Sequence, residues 1–341
     1  MKPSAPSLSM PSLRHLDALA SRGAIPQKVR DILDRFFASY ISALTGAGMD
    51  PADCDQLFSG FLDRVAEQFA TPFVFAPYHQ QITAPFDYYT FGVEFLRPLV
   101  DKATSTVTGL PNLARIADQI AAHENVVLLA NHQTEGDPQA ISLLLEDSYD
   151  AIAREMIFVA GERVTTDPLP VPFSMGRNLL CIHSKRYIDN PPEEKARKTL
   201  HNRKTMERMS ELLSEGGKCI YVAPSGGRDR RNAEGIVEVA PFDPQSVEMF
   251  QLMAERAPRA THFYPMALAT YDFLPPPEAV QVELGEARRA RRLGLHLAVG
   301  AEIDMTTFPG SDVLDKHSRR EARAAFIWKQ VVDDYARFPR P

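Results

Sequence analysis

No stretch of this 341-residue chain approaches the roughly 20 consecutive apolar residues that a membrane-spanning helix requires. The N-terminus has no long apolar run behind its basic residue, so no secretory signal can be read there. Cysteine is scarce. Cys54, Cys181 and Cys219 stand far apart and show no zinc-binding spacing. Cys181 and Cys219 have apolar neighbours and read as buried thiols, and such usage fits a reducing compartment. Positive charge is not in excess either: 38 Lys and Arg face 44 Asp and Glu, a net charge of −6. That balance argues against general nucleic-acid binding but leaves room for a local basic pocket. Internal repeats are absent, as are a G-x-x-x-x-G-K-[ST] phosphate loop and a dinucleotide fingerprint.

What is present is ordinary for a soluble globular protein, with 44% hydrophobic and 24% charged residues. The length predicts one large domain, or a large domain with a smaller one. Residues 1–12 are rich in Ser and Pro and read as a tail. Val29, Ile32, Leu33, Phe36, Phe37, Tyr40, Ile41 and Leu44 then recur at helical spacing, and Gly46 and Gly48 end that run. Asp50-Pro51 opens a second helix with Leu57, Phe58, Phe61, Leu62, Val65 and Phe69 on one face. The two predict a small helical bundle whose aromatic stripes form its core. Pro and aromatic residues break any period between Thr71 and Pro85, which reads as a linker.

From there helical and β-rich runs alternate. Helices are predicted over 87–100, 110–122, from Pro138 onward, over 191–216 and over 320–338. Strands are predicted around 126–129, 156–160, 179–182, 219–222, 263–268, 280–284 and 296–299. This alternation predicts an α/β domain, a mostly parallel mixed sheet flanked by helices, over residues 76–341. A helical domain covers residues 1–75.

One stretch organises the rest. Val126 to Leu129 is a short apolar run, Pro138 suits the start of a helix, and Asn131-His132-Gln133-Thr134-Glu135-Gly136-Asp137 lies between. In open α/β sheets ligands bind at the carboxyl ends of strands. Of nine His, only His132 has Asp five residues on. A neutral imidazole can take a proton from an alcohol, and a carboxylate can fix its tautomer and steady the imidazolium. No enzyme nucleophile accompanies the pair, which suits direct acyl transfer to a substrate hydroxyl. The plainer alternative makes Asp137 an N-cap and His132 a loop histidine.

A second constellation follows another apolar strand, in Pro224-Ser225-Gly226-Gly227-Arg228-Asp229-Arg230. The glycines let backbone approach a ligand. In an extended segment Arg228 and Arg230 point the same way, and guanidinium suits bidentate phosphate binding. Lys185 and Arg186, after a further strand, can converge on the same edge. The plainer alternative makes these charges solvated, or Asp229 the ion-pair partner of a neighbouring Arg.

NHQTEGDP, FVAGERV followed by TDP, PFSMGRNLLC and VAPSGGRDR, with the later YPMAL and LPPP, resemble the signature blocks of the soluble, plastid-type glycerol-3-phosphate 1-acyltransferases. The resemblance runs from about Phe95 to about Gly285. It implies a small helical domain before a larger α/β domain. It implies transfer of a fatty acyl group from acyl carrier protein or coenzyme A to the sn-1 hydroxyl of glycerol 3-phosphate, the first step of phospholipid synthesis. No cofactor is implied beyond that acyl donor, and no metal. His132 becomes the general base with Asp137 its partner, and Arg228 and Arg230 hold the substrate phosphate. The Lys-His pair usual after the SK turn is Arg186-Tyr187 here, which keeps one cation at that corner. The rival acceptor is 1-acylglycerol 3-phosphate, and the rival class is a phosphate- or carrier-protein-binding module without catalysis. An enzyme of this kind is expected to touch the membrane peripherally at most and to bind no nucleic acid. Residues 1–12 are too short for a transit peptide, so a cytoplasmic location is expected, with the plastid stroma as the alternative.

Overall fold

The computed structural model describes residues 10–184, 188–276, 288–312 and 315–339. Helices α1 (Pro11–Ser21), α2 (Gln27–Gly46) and α3 (Asp55–Ala70) come first. Helix α1 begins inside the stretch read as a tail. Pro11 sits in its first turn, and Leu16 and Leu19 are buried one helical turn apart. Asp50 caps the short turn before α3, its side chain accepting from the Ala52 N–H at 2.9 Å. After α3 come β1 (Tyr78–His79), α4 (Tyr88–Leu96), β2 (Thr106–Thr108), α5 (Leu110–Ala121), β3 (Asn125–Ala130), α6 (Asp137–Glu155) and β4 (Ile157–Gly161). Then follow α7 (Glu162–Thr166), α8 (Val171–Met175), β5 (Asn178–Ile182), α9 (Lys195–Glu215), β6 (Cys219–Val222), β7 (Arg230–Arg231) and β8 (Val237–Glu238). The chain closes with α10 (Pro244–Arg256), β9 (Thr261–Ala269), β10 (His296–Val299) and α11 (Lys316–Tyr335). The strand expected over 280–284 lies outside the described residues.

One eight-stranded sheet runs β1-β5-β4-β6-β3-β9-β10-β2, and β7 and β8 form a separate hairpin. The central strands β5, β4, β6, β3 and β9 are all parallel, while β1 pairs antiparallel with β5, and β10 pairs antiparallel with β9 and parallel with the edge strand β2. The expected mixed, mostly parallel sheet is therefore present. The expected linker is more than a connection: within it, Tyr78 pairs with Leu180 and His79 with Leu179 as the edge strand β1.

Three apolar clusters hold the layers. Val126, Leu128 and Ala130 of β3 pack on one face of the sheet with Ile116 of α5 and Ile141 and Leu145 of α6. Val127 and Leu129 pack on the other, with Leu212 of α9, Phe250 of α10 and Ile327 of α11. A strand covered on both faces has no polar alternation to show, hence its continuous apolar run. The third cluster joins α1, α2 and α3 to Phe95 of α4 and to Phe273 and Leu295. Its aromatic rings are the predicted stripes: Phe37 lies 4.6 Å from Phe58 and Tyr40 lies 4.9 Å from it.

Candidate active site

Strands β3 and β6 are in register from Val126 opposite Cys219 to Leu129 opposite Val222. Both chains therefore leave the sheet at the same level, one into His132 and the other into Pro224 to Arg230. The exit from β3 is held by Asn131. Its side-chain Nδ2 donates to the Leu268 carbonyl at 2.9 Å, and its Oδ1 accepts from the Leu268 N–H at 2.8 Å. A side-chain amide thus continues the β3–β9 ladder where the β3 backbone has turned away. The Tyr221 hydroxyl of β6 donates to the Asn131 carbonyl at 2.6 Å.

His132 Nδ1 lies 2.7 Å from Asp137 Oδ2, and the histidine side chain is 30% exposed while the carboxylate is buried. Asp137 Oδ2 also accepts from the Gln133 N–H at 2.8 Å. Its Oδ1 accepts from the Thr134 N–H at 3.1 Å, the Thr134 hydroxyl at 3.1 Å and the Thr270 hydroxyl at 2.6 Å. Burial by itself would raise this carboxyl. The His132 hydrogen bond and charge outweigh burial, helped by Thr270 and the Gln133 amide, and hold it below the ordinary Asp value. An ionised Asp137 makes Nδ1 the donor and leaves Nε2 with its lone pair bare. No hydrogen-bond partner occupies Nε2 among the described residues.

The N-cap alternative for Asp137 does not hold. Asp137 is the first residue of α6, the cap is Gly136, and the carboxylate turns back to the loop before the helix. Gly136 is closely packed: a Cβ there would stand 2.9 Å from Leu274 Cδ1 and 3.2 Å from Leu96 Cδ1, so those side chains would have to shift.

The second constellation lies directly against the first. Gly226 adopts φ +65°, the left-handed turn that glycine favours. Arg228 and Arg230 flank Asp229, whose N–H donates to the His132 carbonyl at 2.7 Å. The Asp229 carboxylate is wholly buried. It accepts from Asn131 Nδ2 at 2.8 Å, Gln133 Nε2 at 3.1 Å and the Ala240 N–H at 2.9 Å. Arg230 and Arg231 then form strand β7, with Arg230 opposite Glu238. Arg228 Nη1 lies 3.9 Å from Glu135 Oε1. The Arg186 and Tyr187 assignments lie outside the described residues.

Sequence reasoning named Gln133, Glu135 and Asp229 without seeing what they join, and it missed Thr270 and Arg288. Gln133 Oε1 accepts from the N–H groups of Thr270 at 2.6 Å and Tyr271 at 2.8 Å. Arg288 donates through Nε to Glu135 at 2.9 Å and stands 3.2 Å from Asp167 through Nη2. Thr270 was findable, because it follows the end of an apolar strand as His132 does. Arg288 has no such local signal.

The cysteines offer no nucleophile. All three are buried, and burial pushes the thiols of Cys181 and Cys219 up to about 12. No group of His, Cys, Asp and Glu suited to a metal occurs among the described residues. None of the helices among those residues is long and apolar enough to cross a membrane. The arrangement is therefore a tautomer-locked base next to a glycine turn carrying two arginines, suited to deprotonating a hydroxyl on an anionic substrate.

Known proteins of similar sequence are acyltransferases. The Acyltransferase family model matches residues 105–269. A chloroplastic glycerol-3-phosphate acyltransferase of Arabidopsis thaliana is 37% identical over 319 residues, 93% of this chain and 69% of the relative. One from Cucurbita moschata is 40% identical over 328 residues, 95% of this chain and 73% of the relative. One from Spinacia oleracea is 40% identical over 285 residues, 83% and 60% of the two chains. The crystal structure of the 1-acyl-sn-glycerophosphate acyltransferase of Thermotoga maritima covers 96% of this chain and 97% of its own, at 14% identity and a TM-score of 0.39.

Proposed function

This chain belongs to the glycerol-3-phosphate acyltransferases, and from that premise we propose how its residues move an acyl group from a thioester to the sn-1 hydroxyl of glycerol 3-phosphate. The observation that carries the reading is the contact between the His132–Asp137 pair and the Arg228–Arg230 segment through Asp229. Arg228 and Arg230 take the phosphate and thereby bring the far hydroxyl of the three-carbon acceptor to His132. Arg186 and Tyr187 are assigned to the same phosphate corner. Nε2 accepts the hydroxyl proton as the oxygen bonds to the thioester carbonyl carbon. Asp137 steadies the imidazolium that forms. The tetrahedral oxyanion then collapses, the carbon–sulfur bond breaks, and the departing thiolate takes the proton from Nε2.

Backbone N–H groups with nothing else to bind are the candidates for the oxyanion donors. The N–H groups of Gly136, Asp137 and Gly226 are occupied, and Pro138 has none. Those of Gln139, in the first turn of α6, and Gly227, exposed in the turn, have no acceptor among the described residues, and we assign the role to them. No cofactor enters this scheme. The donor is acyl carrier protein or coenzyme A thioester, any membrane contact is peripheral, and nucleic acid is not a partner. We keep residues 1–75 as a helical domain and 76–341 as the catalytic one. The compartment we propose is cytoplasmic; the chloroplastic relatives favour the plastid stroma as a second reading.

The test is acylation of radiolabelled glycerol 3-phosphate by the purified chain, with both thioesters and with 1-acylglycerol 3-phosphate and glycerol as rival acceptors. Glycerol 3-phosphate is expected to be the best acceptor, and a preference for 1-acylglycerol 3-phosphate would overturn the reading. Arg228→Ala and Arg230→Ala should each raise the KM for glycerol 3-phosphate, a charge-assisted contact being worth about 1.5–3 kcal/mol. The KM for the acyl donor should stay put. Unchanged glycerol 3-phosphate KM in both variants would move the phosphate elsewhere.

A further inference from the structure

We propose that Asp229 is a positioning residue, which in its ionised form holds the base loop and the arginine segment in one register. The inference rests on the acyltransferase reading of this site and adds a residue with its own role.

The direction of every hydrogen bond around Asp229 is fixed from outside. Asn131 Oδ1 is taken by the Leu268 N–H, and Gln133 Oε1 by the N–H groups of Thr270 and Tyr271. Backbone amides at the end of β9 thus set both side-chain amides with their NH2 groups toward Asp229. The third partner, the Ala240 N–H, is also a donor. A carboxylate, which only accepts, satisfies all three. An asparagine presents an NH2 group to at least one of these donors and loses it, and a protonated acid accepts the three bonds more weakly than the carboxylate does. The consequence reaches the reacting groups, because the Asp229 N–H holds the His132 carbonyl and Arg228 and Arg230 are its chain neighbours.

The titratable groups that act on this carboxylate are His132 from the β3 loop, Tyr221 of β6 and Tyr335 of α11, and Arg228 and Arg230 adjoin it along the chain. Burial pushes Asp229 up to about 6, and the Ala240, Asn131 and Gln133 donors and the His132 charge pull against it. The carboxylate that the network needs is therefore present at neutral pH and lost on mild acidification.

The test is kcat at saturating glycerol 3-phosphate from about pH 5 to about pH 9, for wild type and Asp229→Asn, with His132→Ala alongside. Saturation removes the titration of the substrate phosphate from the readout. Two groups must be unprotonated in the wild type, so log kcat should fall on the acid side with a slope approaching 2, and in Asp229→Asn with a slope of 1. The variant should lose at least tenfold in kcat at pH 8 and raise the KM for glycerol 3-phosphate, with the acyl-donor KM within twofold. A merely structural aspartate would lower the folded fraction and leave slope and KM untouched; that outcome would overturn the proposal. If the variant does not fold, the wild-type slope decides alone: a slope of 1 overturns it and a slope near 2 supports it. Near-normal turnover of His132→Ala would instead remove the base assignment, a failure distinct from that of Asp229.

Discussion

Two regions of this molecule are equally buried and opposite in chemistry. Among the helices at the N-terminus, Phe37, Tyr40, Phe58 and Phe95 have 1% or less of their surface exposed and touch ring to ring. At the carboxyl edge of the sheet, Asn131, Gln133, Thr134, Asp137, Asp229 and Thr270 are buried to the same degree, and every one is polar. The first region excludes water by packing, and its energy is spread over many small contacts. The second excludes water while keeping each donor matched to an acceptor, so the loss of one bond strands a buried partner. Packing can relax around a substitution, whereas a directional network has fewer ways to do so. The reacting groups sit in the region that cannot relax.

The largest expected effect separates the two at once. His132→Ala should lower kcat by about 10²–10⁴, the contribution of a general base, with the melting temperature close to wild type. The ring is partly exposed, and its removal leaves Asp137 four other donors. Turnover near normal would show that the polar region is a structural knot and no more.

Phe37→Ala is the counterpart. A fully buried Phe removed from a packed core costs about 3–5 kcal/mol. The unfolding midpoint should drop accordingly, while the KM for glycerol 3-phosphate in the remaining folded protein stays unchanged. A shift in that KM would mean that the helical region shapes the site, and the comparison would fail.

How much of each region could be read in advance follows from the same contrast. Phe36, Phe37, Tyr40, Phe58 and Phe61 repeat with the helix, so the period alone located their faces. The first helix escaped because Ser and Pro dominate the tail before it, although Leu16 and Leu19 carry the same signal. The apolar strands before His132 and Pro224 were legible as runs, which put His132, Arg228 and Arg230 on one edge. The joints between them were not legible. Asp229 to Gln133 spans 96 positions, Thr270 to Asp137 spans 133, and Arg288 to Glu135 spans 153. No periodicity relates residues so far apart; only the strand order, with β3 between β6 and β9, does.

Acid titration sharpens the comparison, because the two buried aspartates have opposite signs. Asp137 is held below its ordinary value, so its contribution is complete above about pH 3.9, its unfolded range, and is lost as pH falls through the folded value. Asp229 is pushed up to about 6, so the folded state binds its proton more tightly than the unfolded chain does. Its effect is a stability that declines as pH rises from about 4 to about 6. Urea midpoints of wild type and Asp229→Asn at about pH 4.5 and about pH 7 should therefore move in the variant's favour with rising pH. Turnover should move the other way, in favour of wild type. Parallel movement of both would mean that Asp229 serves the fold rather than the register of the site.

The finest comparison removes one buried hydroxyl from each region. The Tyr40 hydroxyl donates to the Phe95 carbonyl at 2.6 Å, and the Thr270 hydroxyl donates to Asp137 at 2.6 Å. Tyr40→Phe leaves a neutral carbonyl without that donor and should cost about 0.5–1.5 kcal/mol of stability, with kcat unchanged. Thr270→Val keeps the shape of the side chain but withdraws a donor from an ion, a loss of about 1.5–3 kcal/mol. That loss reaches the chemistry as well. With one donor fewer, Asp137 rises toward its ordinary value and its negative charge leans more on His132, so the imidazole becomes harder to deprotonate. The acid limb of kcat should then shift to higher pH in Thr270→Val, and stay fixed in Tyr40→Phe. An unshifted limb in Thr270→Val would show that Gln133 and Thr134 alone set the charge on Asp137, leaving Thr270 to hold the end of β9 against the loop.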